Sequence, residues 1–310
     1  MEYMIAAYTD TGIQKETNQD SICVRRAMVP EVGEVALAVV CDGMGGLKKG
    51  EVASAAAVSA FGSWFDRSLP LLVPLCGCDF SKVRQQWVSL LSELHEDLKA
   101  YAAQTGSSLG TTVAAMLTYG DRYLCANVGD SRVYERKKIL RQLTQDHSLV
   151  AREVAAGRIT EEESRHHPQR NVLLQCLGAG NEISPSFIEG RVQHDALYLL
   201  CSDGLVHELY SEELRDRLDP AWLNSKSALT DALSGMTELC KRRGETDNIS
   251  AILLKTSESS YVPDQKGIKK LLRRLHPVSA EAPKQAYIME TAQIIHTQEV
   301  IGQNGRQQTR

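Results

Sequence analysis

Four aspartates stand where chemistry is most easily built. Asp42 (VALAVVCDGMGG), Asp203 (ALYLLCSDGL) and Asp247 (ETDNISAILL) sit at turns beside apolar, strand-like runs, and Asp20 lies in TNQDSICV. A carboxylate at the end of a buried strand is costly unless positive charge meets it. Together the four would carry about −4, and no equal set of Lys or Arg lies beside them. Two divalent cations would balance that charge, and hard cations prefer oxygen ligands. Such two-metal sites are often hydrolytic and handle phosphate.

Short elements must position these residues. Apolar residues cluster over 3–8, 21–25 and 34–41, which read as strands separated by polar turns. Residues 50–65 are Ala-rich and free of Pro, a good helix. Residues 81–103 carry Val83, Trp87, Leu90, Leu91, Leu94, Leu98 and Tyr101 at three-to-four spacing, an apolar helical stripe with Ser81 as its N-cap. Between these helices, SLPLLVPLCGCD reads as a loop punctuated by Pro and Gly. Strands return at 111–118, 122–128, 131–136 and 139–143 and suggest an antiparallel meander. Residues 146–170 are polar and helix-capable. A strand at 196–202, helices at 211–218 and 225–243, and a last strand at 248–255 complete the pattern. Gly244 after Lys241, Arg242 and Arg243 makes a helix stop. Strands and helices come in blocks rather than alternating, which favours an α+β fold: two antiparallel sheets packed face to face in an α-β-β-α sandwich, with helix pairs outside.

Composition narrows the function. The chain has 310 residues, 43% of them hydrophobic but only 5% aromatic, so the core is built from aliphatic side chains. The net charge is −4, and the last 53 residues carry eight Lys/Arg against five Asp/Glu, which leaves an acidic body. That argues against nucleic-acid binding, which wants a basic face. No apolar run reaches the ~18 residues of a membrane span, and MEYMIAAYTDTG lacks the basic start and long apolar stretch of a secretory signal. Eight scattered Cys, most in apolar stretches, read as reduced, buried thiols of a cytoplasmic protein. Cys76 and Cys78 are too close for the usual zinc knuckle and could be exposed.

After residue 257 the character changes. SESSYVPDQKG is a linker. GIKKLLRRLHP reads as a short basic amphipathic helix with Ile268, Leu271, Leu272 and Leu275 on one side and Pro277 at its end. It could be solvated, dock on the acidic body or a partner, or touch an anionic membrane. Residues 278–310 have few core formers and are expected to be weakly ordered. The division is therefore 1–257 and 258–310.

Five segments, read in order, carry a resemblance: TDTGIQKETNQD (9–20), VCDGMGGLKKGE (40–51), LGTT (109–112) with VGDSR (128–132), LCSDGL (200–205) and TDNI (246–249). Together they resemble the metal-dependent protein Ser/Thr phosphatases of the 2C type, the PPM family, and specifically the bacterial branch with DGMGG. TQDHS (144–148) and HPQR (167–170) look like this branch too, and the likeness spans residues 3–256. It implies a binuclear Mn²⁺ or Mg²⁺ centre at one end of the sandwich in residues 1–257. Carried over by position, Asp42 bridges both ions, the Gly43 carbonyl binds one, and Asp203 and Asp247 bind the other. Asp20 and Gln19 complete the shell, directly or through water. Lys15 stands where the family usually has a phosphate-binding Arg. A water activated by the two ions would attack the phosphorus, with no phosphoenzyme. The implied partners are proteins phosphorylated on Ser or Thr and an opposing Ser/Thr kinase.

The chain departs from the family pattern at four places. Lys15 is a point charge without the bidentate fork of Arg. Gln19 replaces a carboxylate found in many members. Met44 stands where eukaryotic relatives have a His. Some members hold a third ion with the Asp of GDSR and an Asp four positions after the SDG aspartate; here these are Asp130 and His207, and His207 is a poorer ligand for hard cations. The segment 146–175 corresponds to a flap that gates substrate in the family. His147, His166 and His167 fit no HExxH-like spacing and read as surface or hydrogen-bonding residues. Arg132 and Asp10 read as structural. Two other functions stay open on the residues alone: a pseudophosphatase that binds phosphoprotein without turnover, and a phosphatase of small metabolites.

Overall fold

The computed structural model describes residues 1–29, 32–45, 49–76 and 80–257, together with the backbone of Met289–Glu290. The expected linker, the basic helix at 266–274, the weakly ordered tail, Gly46 and Cys78 lie outside the described residues, as does the side chain of Cys76.

The chain opens with β1 (Glu2–Asp10), β2 (Ser21–Val29), β3 (Gly33–Cys41) and the short β4 (Gly43–Gly45). Three helices follow, α1 (Gly50–Arg67), α2 (Leu69–Cys76) and α3 (Phe80–Thr105). Next come β5 (Leu109–Thr111), β6 (Val113–Tyr119), β7 (Arg122–Val128), β8 (Arg132–Arg136) and β9 (Leu140–Gln142). The small helices α4 (Leu149–Ala155) and α5 (Glu161–Arg165) precede β10 (Ser186–Arg191) and β11 (Leu197–Cys201). Then come α6 (Asp203–Val206), α7 (Ser211–Arg217), α8 (Lys226–Arg243), β12 (Ile249–Ser257) and β13 (Met289–Glu290).

One sheet runs β1-β12-β11-β8-β9 and the other β10-β7-β6-β3-β2-β13; every pairing is antiparallel. Alternation along the strands explains why two sheets stack instead of one. On β3, Ala36, Ala38 and Val40 face the other sheet, while Val35, Leu37 and Val39 face the helices. On β12, Ile252 and Leu254 face between the sheets, and Ala251 and Leu253 face outward. The outward face of the β3 sheet is covered by α1–α3, where Trp87 meets Phe61 and Trp64 edge-on at 5.1 and 5.4 Å. The outward face of the β12 sheet is covered by Leu229, Leu233, Met236 and Cys240 of α8. Three cores between four layers give the expected α-β-β-α sandwich.

The structure corrects several local expectations. The segment read as a Pro-punctuated loop is mostly the helix α2. Pro70 falls in its first turn, where a missing N–H costs nothing, and Leu69 and Leu72 are buried against the α1–α3 core. Helix α3 starts at Phe80, so Ser81 sits inside the first turn and is not the N-cap. Tyr101 is 38% exposed, and the buried stripe of α3 includes His95 instead. The single meander is in fact two hairpins, β6-β7 in one sheet and β8-β9 in the other. The chain crosses between sheets at Gly129, whose φ of +97° only glycine adopts easily. The strands β4, β5 and β10 and the helix α6 have no counterpart in the sequence reading. Gly244, with φ +95°, closes α8 as expected.

Candidate metal centre

Register brings the aspartates to one end of the sandwich. Ser21 pairs with Cys41, so Asp20 and Asp42 project from neighbouring ends of β2 and β3. In the other sheet Cys201 pairs with both Ala251 and Arg132. Asp203, Asp247 and Asp130 therefore leave β11, β12 and β8 at the same edge. Lys15 and Gln19 lie in the β1–β2 loop above them.

The loops are held by a hydrogen-bond frame. Asn248 accepts from the Gln19 amide at 2.8 Å and donates to the Thr11 and Thr17 carbonyls, which ties the β1–β2 loop to the start of β12. Ser202 Oγ donates to Asp20 Oδ2 at 2.9 Å across the two sheets. Thr112 Oγ1 accepts from the Asp42 amide at 2.9 Å, and Thr111 Oγ1 donates to the Asp42 carbonyl. The backbone at Gly43 is pressed so closely that an added Cβ would lie 2.2 Å from the Gly50 carbonyl oxygen and 2.4 Å from that of Gln19. Gly43 donates its N–H to the Gln19 carbonyl. The Gln19 side chain donates to the Gly45 carbonyl at 3.3 Å.

The electrostatics are those of a crowded anionic cluster. Burial, reinforced by Asp20, Asp203, Asp247 and Asp130, pushes Asp42 well above the usual carboxylate range. Burial and the charges of Asp203 and Asp247 lift Asp20 to about 7 against its hydroxyl donors. Burial, with Asp203 and Asp146, lifts Asp130 to about 8. Burial pulls Lys15 down, but its contact with Asp247, 2.9 Å from Nζ to Oδ1, and the charges of Asp42 and Asp203 win, so it is held up. His207 stands between Asp203 and Glu245, 3.3 Å from each. Burial disfavours its charge, yet these carboxylates raise it to about 9.

A pair of hard cations fits this cluster. Asp20 Oδ1 and Asp203 Oδ1 are buried without a hydrogen-bond partner among the described residues. Buried acceptors without donors are what cation ligands look like before the cation is counted. Among the described residues no three His, Cys, Asp or Glu side chains form a ready-made single-ion cage. A cation here would be shared between separated carboxylates and completed by water, as Mg²⁺ and Mn²⁺ are. The position for a third ion differs from the family pattern: the His207 ring there already spans Asp203 and Glu245.

The remaining residues have structural partners. Arg132 forms a bidentate pair with Asp146, and Asp10 accepts from the Gly12 amide and pairs with Lys241. His147 accepts from the Gly129 amide at Nδ1 and contacts Ser186 at Nε2, which steadies the turn before Asp130. Cys41 and Cys201 point into the two outer cores, away from the carboxylates. Sequence reasoning missed Asn248, Ser202, Thr112 and Glu245. Three of them directly adjoin a singled-out residue or segment end, and that adjacency was the available signal.

Comparison with known proteins agrees with this architecture. Residues 12–250 match the family model described as Protein phosphatase 2C. The protein phosphatase PhpP of Streptococcus pneumoniae is 30% identical over 258 residues, covering 82% of this chain and 98% of its own. The serine/threonine phosphatase of S. agalactiae superposes with a TM-score of 0.69 at 28% identity, over 83% of this chain and all of its own. The catalytic domain of the serine/threonine protein phosphatase PstP, solved with two manganese ions, gives a TM-score of 0.65 at 26% identity over 83% of this chain and 99% of its own. The chain belongs to the protein phosphatase 2C family.

Proposed function

We propose that this protein phosphatase hydrolyses phosphoserine and phosphothreonine in proteins with the help of two divalent cations, Mn²⁺ or Mg²⁺. Asp42, the Gly43 carbonyl, Asp203 and Asp247 would hold the pair. Asp20 and Gln19 complete the shell, and Asp130 lies alongside. The single observation that carries this reading is the meeting of Asp20, Asp42, Asp203 and Asp247 at one end of the sandwich, with Asp20 and Asp42 desolvated and with Asp20 Oδ1 and Asp203 Oδ1 buried without a partner among the described residues. When bound, the ions supply a water of lowered pKa and neutralise charge on the phosphoryl group.

The chain's own side chains do the rest. Lys15, 2.9 Å from Asp247, would guide the phosphate by its charge at the mouth of the site. Asn248 and Ser202 keep the two sheets in register, so the carboxylates stay within reach of one another. Met44 offers no proton, so the leaving alkoxide would take one from water or from another group. Residues 1–257 make the catalytic unit, and 258–310 form an appended segment. The opposing enzyme would be a Ser/Thr kinase. A cytoplasmic setting is supported by the six described cysteines, all buried free thiols. No helix among the described residues is long and apolar enough to cross a membrane.

The test is Mn²⁺-dependent hydrolysis of a phosphothreonine peptide and of p-nitrophenyl phosphate. Asp42→Ala and Asp203→Ala should abolish both; retained activity would refute the metal assignment. A second reading, phosphoprotein binding without turnover, is favoured by the engagement of Lys15 with Asp247. Tight phosphopeptide binding with no turnover at millimolar Mn²⁺ would select it.

A further inference from the structure

Away from the carboxylates the sandwich has an open side. β1 is the outermost strand of one sheet, and β2 would be the outermost of the other but for β13. β2 runs nine residues, Ser21–Val29, and among the described residues only Arg26 and Ala27 have a strand partner on the side away from β3. An edge of that length offers a row of N–H and C=O groups to any other strand. Beside it lies a groove of about 610 Å³, lined among others by Met4, Ile5, Arg26, Met28, Glu34 and Ser257. Arg26 and Glu34 are occupied with each other and with β1: Arg26 pairs with Glu34 and donates to the Tyr3 carbonyl at 3.0 Å, and Glu34 accepts from the Tyr3 amide at 2.7 Å. What this side leaves open is backbone, so it suits an added strand rather than a charged ligand.

The chain's own tail fits by polarity. β12 ends at Ser257, in this groove. β13 is antiparallel to β2, with Met289 opposite Ala27 and Glu290 opposite Arg26, so it runs from the groove end of β2 toward Ser21. Residues 258–288 join the two points, and fully extended they could reach about 100 Å, so the return is unstrained.

The tail also fits by register. Continued along all of β2, the same register sets residues 287–295 against Val29 to Ser21. Those residues read YIMETAQII, with no Pro or Gly and a single charge. Such a run of aromatic and β-branched residues favours a strand. The charge, Glu290, falls opposite Arg26, while Tyr287 falls opposite Val29, Ala292 opposite Val24 and Ile294 opposite Ile22. A slip of one residue would turn all of them to the other face.

We propose that residues 287–295 of the tail dock in cis along the whole of β2, and that this strand closes the sheet edge against a second copy of the chain. Neither the docking nor its test depends on catalysis.

The experiment is hydrogen exchange on the full chain, read by mass spectrometry on fragments covering 21–29 and 286–296. Both should be protected. Met289→Pro removes a strand donor, and both fragments should then exchange about tenfold faster at their slowed outer amides, a local opening rather than global unfolding. Ile294→Pro should free the 21–24 end. Glu290→Lys sets like charges directly opposite and should give part of the loss. Ala280→Pro, ahead of the segment, should change neither fragment, and β6 at the sheet's centre should stay slow in every variant. Fast exchange of 286–296 in the unaltered protein, protection confined to Arg26 and Ala27, or protection unmoved by Met289→Pro would overturn the docking. Light scattering at several concentrations tells one copy from two. A monomer whose tail stays protected on dilution supports pairing in cis; protection that vanishes on dilution together with a dimer assigns the strand to a second copy and overturns it. Met289→Pro should self-associate as concentration rises, and a variant that stays monomeric throughout would overturn the closing role.

Discussion

Lys15 Nζ lies 2.9 Å from Asp247 Oδ1, so the cation expected to greet the phosphate is paired with a carboxylate expected to hold an ion. The pair is half-exposed, which keeps the bond weak and exchangeable. Capture of phosphate by Lys15, as proposed, would therefore compete with a neighbour.

Lys15→Arg should raise kcat/KM on a phosphothreonine peptide by up to about tenfold, because the guanidinium can serve Asp247 and a phosphate oxygen together. Lys15→Ala should lower kcat/KM while less Mn²⁺ is needed for half-maximal rate, since Asp247 loses its competitor. Initial-rate kinetics at several Mn²⁺ concentrations check both. An arginine form that is no faster at low substrate would count against the role given to Lys15.

Asp42 is the centre of the repulsion, coupled to four other aspartates. Asp42→Asn removes one of the charges while keeping the shape. In chelator its Tm should rise by about 2–8 °C, at about 2–4 °C per kcal/mol for a domain of this size. Added Mn²⁺ should stabilise the unaltered protein strongly and the variant little. Thermal melts with and without Mn²⁺ give the answer, and a lower Tm in chelator would show that Asp42 is not under electrostatic strain.

At Gly43 the backbone leaves no room for a methyl group. Gly43→Ala forces the strand end away from Gln19 and Gly50 and should cost about 1–3 kcal/mol. It should also abolish activity. Urea unfolding reads the first effect. A variant of unchanged stability would mean that the loop relaxes freely.

Alkaline pH should reveal the tyrosines. Burial pushes Tyr3, Tyr123 and Tyr134 each up to about 12. Below about pH 10, the value for free tyrosine, both folded and unfolded chains keep these protons and stability is full. As pH rises from there toward 12 the unfolded chain releases them first, so stability declines. Tyrosinate absorbance should show a late group that titrates with unfolding; complete titration near pH 10 in the folded protein would contradict this burial.

Much of this site was legible in one dimension because strand ends are. Asp20, Asp42, Asp203 and Asp247 adjoin the apolar runs that became β2, β3, β11 and β12, and antiparallel pairing brings such ends together. The residues that hold the loops were harder to see. Asn248 is an ordinary polar side chain until β1–β2 folds over it, and the Glu245–His207 contact joins positions 38 apart that no periodicity links. The two hairpins were mistaken for one meander because alternation reports which face a side chain takes, not which sheet a strand enters. Helix α2 was hidden by its prolines, since local propensity is overridden when apolar residues such as Leu69 and Leu72 find a core.

In the sheet order β1-β12-β11, the first strand of the sandwich to be made pairs, among the described residues, with the strand that closes it. At translation speeds of about 5–20 residues per second, β1 waits on the order of ten seconds or more for its neighbour. Asp247 emerges just ahead of β12, so the last of the proposed ligands and the last sheet closure arrive together. A nascent chain lacks the complete charge cluster until then, so the proposed metal pair would find its full ligand set only at the final step of folding.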